Sequence, residues 1–93
     1  MRILYLSANK IKKIEGLDAL KDISILYLDN NQITEIKGLR NLSCLSALYL
    51  NDNMITNVEE IKYLPKHCVI FLRDNPIQKK VLKKFTYTTN CFL

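Results

Sequence analysis

The 93-residue chain has only two glycines, two prolines, one histidine and three cysteines, and most of these scarcities close off a class of function. Two glycines, Gly16 and Gly38, cannot build a phosphate loop, which needs several residues without side chains for the backbone to approach its ligand. One histidine, His67, leaves no His/Cys cluster with metal-ligand spacing. Cys44, Cys68 and Cys91 are odd in number and lack CxxC spacing, so neither a disulfide framework nor a dithiol motif is expected. No run approaches the ~20 apolar residues that cross a bilayer. The opening Met1-Arg2-Ile3-Leu4-Tyr5-Leu6 lacks the apolar segment and cleavage site of a secretory signal. These absences predict an intracellular protein, cytoplasmic or nuclear, with no cofactor, no metal and no membrane contact.

What the chain does contain is aliphatic and periodic. Hydrophobic residues make up 48% and charged residues 25% of it, a globular composition. Asn9, Asn31, Asn53 and Asn75 stand 22 residues apart. Before each lies an apolar-aromatic-apolar triplet: Leu4-Tyr5-Leu6, Leu26-Tyr27-Leu28, Leu48-Tyr49-Leu50 and Ile70-Phe71-Leu72. After each comes Ile11, Ile33, Ile55 or Ile77, and then apolar residues in steps of three: Ile14, Leu17, Leu20; Ile36, Leu39, Leu42; Val58, Ile61, Leu64.

The triplet alternates with period two, which places its aliphatic residues on one face of a short strand and its aromatic on the other. Steps of three suit 3₁₀ or irregular turns better than an α-helix of 3.6 residues per turn. An asparagine at each bend can donate to and accept from backbone groups that the turn leaves unpaired, so four in register predict an internal ladder.

The unit that runs from Ile23 through Leu26-Tyr27-Leu28-Asp29-Asn30-Asn31-Gln32-Ile33 to Leu42 resembles the 22-residue class of leucine-rich repeats. That class is typified by a nuclear regulatory subunit of protein phosphatase 1 and is shared by a spliceosomal protein, axonemal proteins and bacterial internalins. The resemblance implies an α/β solenoid: a right-handed curved stack with a parallel concave sheet and short 3₁₀ or irregular convex turns. It covers residues 1–77, about four units, the first without an N-terminal cap. The Asn75-Pro76-Ile77 sequence resembles the start of the C-terminal cap of intracellular members. Residues 78–93 read as a capping helix, with Ile77, Val81, Leu82 and Phe85 at helical spacing, and a tail that departs from the family's cap after Phe85.

End units of a solenoid expose their core. Leu4, Leu6, Ile11 and Leu17 are therefore expected at an open N-terminal end, and self-association through that end is expected with them.

Strand residues that do not face the core must line the concave face. The central row is Tyr5, Tyr27, Tyr49 and Phe71; beside it run Ile3, Ile25, Ala47 and Val69. On the other flank come Ser7, Asp29, Asn51 and Arg73, then Ala8, Asn30, Asp52 and Asp74. Exposed apolar patches and aromatic anchors mark interfaces, so this face is the expected partner-binding surface, with Asp29, Asp52 and Asp74 as an acidic rim. The competing explanation is that tyrosine is a favoured strand residue and one unit was copied.

The expected function is that of a non-enzymatic protein-interaction module: an adaptor, scaffold or regulatory subunit. Residues 75–93 hold four lysines and no acid, Lys79, Lys80, Lys83 and Lys84. They suit a solvated face first and nucleic acid second, which keeps a ribonucleoprotein component as an alternative. A bacterial or parasite surface or effector protein is the other. His67 is expected as a partly buried packing residue, with Cys68 pointing the other way, and Glu59-Glu60 as a solvated pair. None of these sets a nucleophile beside a base.

Overall fold

The computed structural model describes residues 2–83 and 90–92. Five strands, β1 (Arg2–Tyr5), β2 (Ile23–Tyr27), β3 (Ala47–Tyr49), β4 (Val69–Phe71) and β5 (Asn90–Phe92), form one sheet in chain order. Every neighbouring pair is parallel. The register follows the sequence spacing: Leu4 pairs with Leu26, Leu26 with Leu48 and Leu48 with Ile70. Stacking parallel strands in chain order requires each connection to return under the sheet, which is the path of a solenoid.

The inner side of the strands and the return paths form one core. Leu26, Leu48 and Ile70 are fully buried, together with Leu28, Leu50, Ile33, Ile55, Ile36, Val58, Leu42 and Ile61. Each such side chain contributes roughly 1.5–3 kcal/mol relative to an exposed one. In the first unit the matching residues Leu4, Leu6 and Ile11 are only half-buried, whereas Leu17, expected to be open with them, is buried with the core.

The steps of three in the return path are turns closed by bonds between residues three apart. The amides of Leu20, Leu42 and Leu64 donate to the carbonyls of Leu17, Leu39 and Ile61. In the third unit these turns join into a 3₁₀-helix at Glu59–Tyr63. The first two units instead bend through Gly16 and Gly38, both at φ +76°, where an L-residue is strained. A small second ladder ties the return paths of the second and third units: Ile36 N–H donates to Asn57 C=O, and Thr56 N–H to Thr34 C=O.

At the C-terminal side a short helix, α1 (Lys79–Lys83), follows Pro76. Ile77 and Val81 pack against the core at the expected helical spacing. The Leu82 side chain, Lys84 and Phe85 lie outside the described residues, as do Met1, 86–89 and Leu93. The sheet then continues where the sequence pattern had ended: Val69, Ile70 and Phe71 pair with Asn90, Cys91 and Phe92. This fifth strand lacks the aliphatic-aromatic-aliphatic signature, so periodicity alone did not reveal it.

Two expectations are corrected at the entry to β4. His67 is exposed, and Cys68 takes the buried position that Ile23 and Leu45 fill in earlier units. The turn after Leu64 is closed by the Cys68 amide donating to Pro65 C=O, which brings the Cys68 side chain inward one residue later than the 22-residue count predicts. In the preceding turn Glu59 is exposed as expected, while Glu60 is half-buried and pairs with Arg40 at 3.5 Å, twenty residues earlier.

Candidate functional site

The site begins with the asparagine ladder, because the ladder holds the strands at a fixed spacing. Asn31 Nδ2 donates to the carbonyls of Leu6 and Leu28, both at 3.0 Å, and its Oδ1 accepts from the amides of Asn9 and Ile11. Asn53 and Asn75 repeat the arrangement one unit further each time, Asn53 reaching Leu28 and Leu50, and Asn75 reaching Leu50 and Leu72. The Asn9 side chain donates within its own unit, to the carbonyls of Leu6 and Ser7. The residue before each ladder asparagine, Ala8, Asn30, Asp52 or Asp74, has φ between 56° and 61°. Asn and Asp tolerate this left-handed conformation better than other side chains, which gives Asp52 and Asp74 a backbone reason for their positions.

On the open face of the sheet this regular spacing produces a continuous aromatic stack. The ring centroids of Tyr5 and Tyr27 lie 4.7 Å apart, those of Tyr27 and Tyr49 4.4 Å, and those of Tyr49 and Phe71 4.5 Å. Neighbouring planes are within 9° of parallel. Parallel rings at this distance are offset-stacked, so the faces of Tyr27 and Tyr49 are occupied by their neighbours and solvent meets ring edges and phenol hydroxyls. Partial desolvation pushes the Tyr27 phenol above its ordinary value of 10.0, with the neighbouring Tyr49 and then Asp29 acting in the same direction. At neutral pH it is a neutral hydroxyl that both donates and accepts.

The flanking rows fall where the sequence places them. Ile3 is 44% exposed and Tyr5 66%, while Ile25, Ala47 and Val69 are half-buried beside the stack. On the other flank Asp29 is half-buried and accepts from Ser7 Oγ at 2.6 Å and from Asn30 Nδ2 at 3.1 Å. Asn51 Nδ2 donates to the Asp52 carboxylate at 3.0 Å, and Arg73 and Asp74 are exposed. The in-register strands thus align the expected rows of contact residues across the sheet. The acidic rim is a staggered line, Asp29 in one row and Asp52 and Asp74 in the next.

Other groupings offer less chemistry. Among the described residues no three His, Cys, Asp or Glu side chains gather where they could share a metal ion, and no helix is long and apolar enough to cross a membrane. Sequence reading missed a cluster on the return side: the Arg40 guanidinium lies 3.7 Å from the centroid of the Tyr63 ring while Arg40 Nε faces Glu60. Its members are 20 and 23 residues apart, and a pair separated by about one unit was the signal available. An open groove of about 450 Å³ lies beside it, lined in part by Lys13, Asp18, Lys37 and Glu60.

Comparison with known proteins gives the same architecture. A family model described as leucine-rich repeats (2 copies) matches residues 1–41 and again 23–63. Internalin C2 from Listeria monocytogenes str. 4b F2365 superposes with a TM-score of 0.78 at 30% sequence identity, over 96% of this chain and 38% of that one. The chain therefore spans well under half the length of the internalin. No curated protein matches it in sequence. With the family model covering residues 1–63 and a parallel strand recurring at each 22-residue step, the chain belongs to the leucine-rich repeat family.

Proposed function

We propose that this is a non-catalytic protein-interaction module that binds its partner on the concave, open face of the sheet, through Tyr5, Tyr27, Tyr49 and Phe71. Leucine-rich repeats generally serve as protein-binding surfaces, with the sheet face as a preformed platform. The observation that carries the reading is the aromatic stack itself: three stacked ring pairs with an apolar row beside them, held on a ladder-braced scaffold. Such a surface has little to order when it binds, which lowers the cost of association. A regulatory subunit, as the resemblance to the phosphatase 1 subunit suggests, is one form an intracellular module of this kind takes.

Occupied ring faces count against nucleic acid on this surface, because bases stack on open faces and this row offers edges. A ribonucleoprotein role would fall to the lysines of α1. The second reading, a bacterial surface or effector protein, is favoured by one observation, the superposition on internalin C2. The half-buried Leu4, Leu6 and Ile11 support self-association of the 93-residue chain, read by sedimentation as a weight-average mass that rises with concentration.

The test is capture from a native extract by the wild-type chain and by the Tyr27→Ser/Tyr49→Ser double variant, with circular dichroism confirming that both are folded. Loss of a specific protein with the double variant supports the reading. Equal capture by both removes the stack from it, and capture that fails steeply with added salt shifts the contact to the lysines.

A further inference from the structure

The open face has a direction. Between the aromatic row and the ladder asparagines lie Asp29, Asp52 and Asp74 against one cation, Arg73. The turns that lead into the strands carry the opposite balance: Arg2 is paired with Asp22 at 3.1 Å, leaving Lys21 and Lys66, both exposed, on that border. A chain with net charge +5 therefore has an acidic border on one side of its aromatic stripe and a basic border on the other. Opposed potentials on two sides of an apolar strip select orientation as well as partner.

The surface also limits the shape of its occupant. It presents side chains and no unpaired backbone groups, so a docked segment must satisfy its own backbone hydrogen bonds, which a helix does and an extended peptide does not. Four strands about 4.8 Å apart make a stripe about 14 Å long. Helical anchors at i, i+4 and i+7 span about 10 Å and fit on it.

We infer that the sheet face takes an amphipathic helix from a protein partner, laid across the strands in one direction. Its apolar stripe lies on Tyr27 and Tyr49, its basic border against Asp29, Asp52 and Asp74, and its acidic border toward Lys21 and Lys66. Turning the helix end for end swaps its borders, so the charges choose between two poses that are equal in apolar contact. Exposed pairs are individually weak, and several acting together favour one pose by about tenfold. The inference rests on the proposed use of this face.

A designed peptide of about 18 residues tests it, with a Leu/Phe stripe, lysines on one border, glutamates on the other and a nitroxide at its N-terminus. The readout is paramagnetic broadening of amide signals of the isotopically labelled 93-residue chain. The expected result is broadening concentrated at one end of the aromatic stripe, β1 or β4. It should move to the other end when the two borders are exchanged, and it should spread to both ends in the Asp29→Asn/Asp52→Asn/Asp74→Asn variant. Asparagine keeps the left-handed bends at 52 and 74 and an acceptor for Ser7, so that variant preserves the fold. Equal broadening of both ends by the original peptide, with Tyr27 and Tyr49 still perturbed, overturns the single direction and leaves the face as the binding surface. A peptide that leaves Tyr27 and Tyr49 unperturbed overturns both.

Discussion

The side-chain amide of Asn53 donates to the carbonyl of Leu28, 25 residues earlier, at 3.0 Å, and in doing so ties the third unit to the second across the stack. The same amide serves Leu50, and its oxygen takes the amide hydrogen of Ile33. Asn53→Ala strands the buried Ile33 amide, at roughly 1–3 kcal/mol, and removes one of the two side-chain donors from each of the Leu28 and Leu50 carbonyls, at roughly 1 kcal/mol each. We expect a loss of about 3 kcal/mol or more in urea denaturation for Asn53→Ala, against about 1 kcal/mol for Asn9→Ala, whose side-chain bonds are exposed and stay within its own unit. Equal losses at the two sites would mean that the inter-unit bonds add nothing.

The two bend glycines should respond differently to a methyl group. A Cβ on Gly38 would meet the Ile14 carbonyl oxygen at 2.7 Å, whereas one on Gly16 meets nothing within 4 Å. Gly16→Ala then carries only the strain of the left-handed backbone, about 1 kcal/mol, while Gly38→Ala adds a clash with main chain. Thermal unfolding should place Gly38→Ala below Gly16→Ala by several degrees.

Ala8 occupies the left-handed position that Asn30, Asp52 and Asp74 fill in the other units. An alanine there is strained by about 1 kcal/mol, and asparagine relieves part of it. Ala8→Asn is expected to raise the melting temperature by a few degrees; an unchanged or lower value would show that the first bend relaxes without help.

The exchange of roles at the entry to β4 predicts a difference in thiol reactivity. Cys44 is exposed and Cys68 is buried. Alkylation of the native chain followed by peptide mapping should label Cys44 well before Cys68, the latter only as the fold opens. His67→Ala should be nearly neutral for stability, while Cys68→Asp should be strongly destabilising, because it puts an unpaired charge into the core.

Stability should also fall in alkali. The Tyr27 phenol has a raised value in the folded chain, from partial desolvation first and then from Tyr49 and Asp29. An acid raised on folding keeps its proton more tightly when folded, so its contribution is complete below the ordinary value of 10.0. That contribution is lost as pH rises through the higher folded value. Tyrosinate absorbance with parallel denaturation should show the loss in the wild type and less of it in Tyr27→Phe, which keeps the stack and removes the hydroxyl.

Much of the fold is legible in the residues because each unit repeats one local solution. Asn31 and Asn53 mark bends whose hydrogen bonds only an amide of that length can make, and Tyr27 and Tyr49 alternate with leucines at the strand period. Contacts without such a repeat were harder to read. Arg40 meets Tyr63 and Glu60 through the closeness of two return paths, and β5 pairs with β4 through its backbone although its residues carry none of the pattern. Cys68 replaces His67 in the core because one turn closes a residue later than its predecessors.

The sequence by itself determined the coil: a 22-residue step, a leucine face turned inward, an aromatic row turned outward and an asparagine at each bend. Those are properties of spacing, and spacing needs no knowledge of distance. Only the tertiary structure decided that the four rings stack face to face at 4.4–4.7 Å. That closeness follows from hydrogen bonds between units, which hold neighbouring strands about 4.8 Å apart, near enough for offset rings to stack. It turns a row of tyrosines into a surface of edges and hydroxyls.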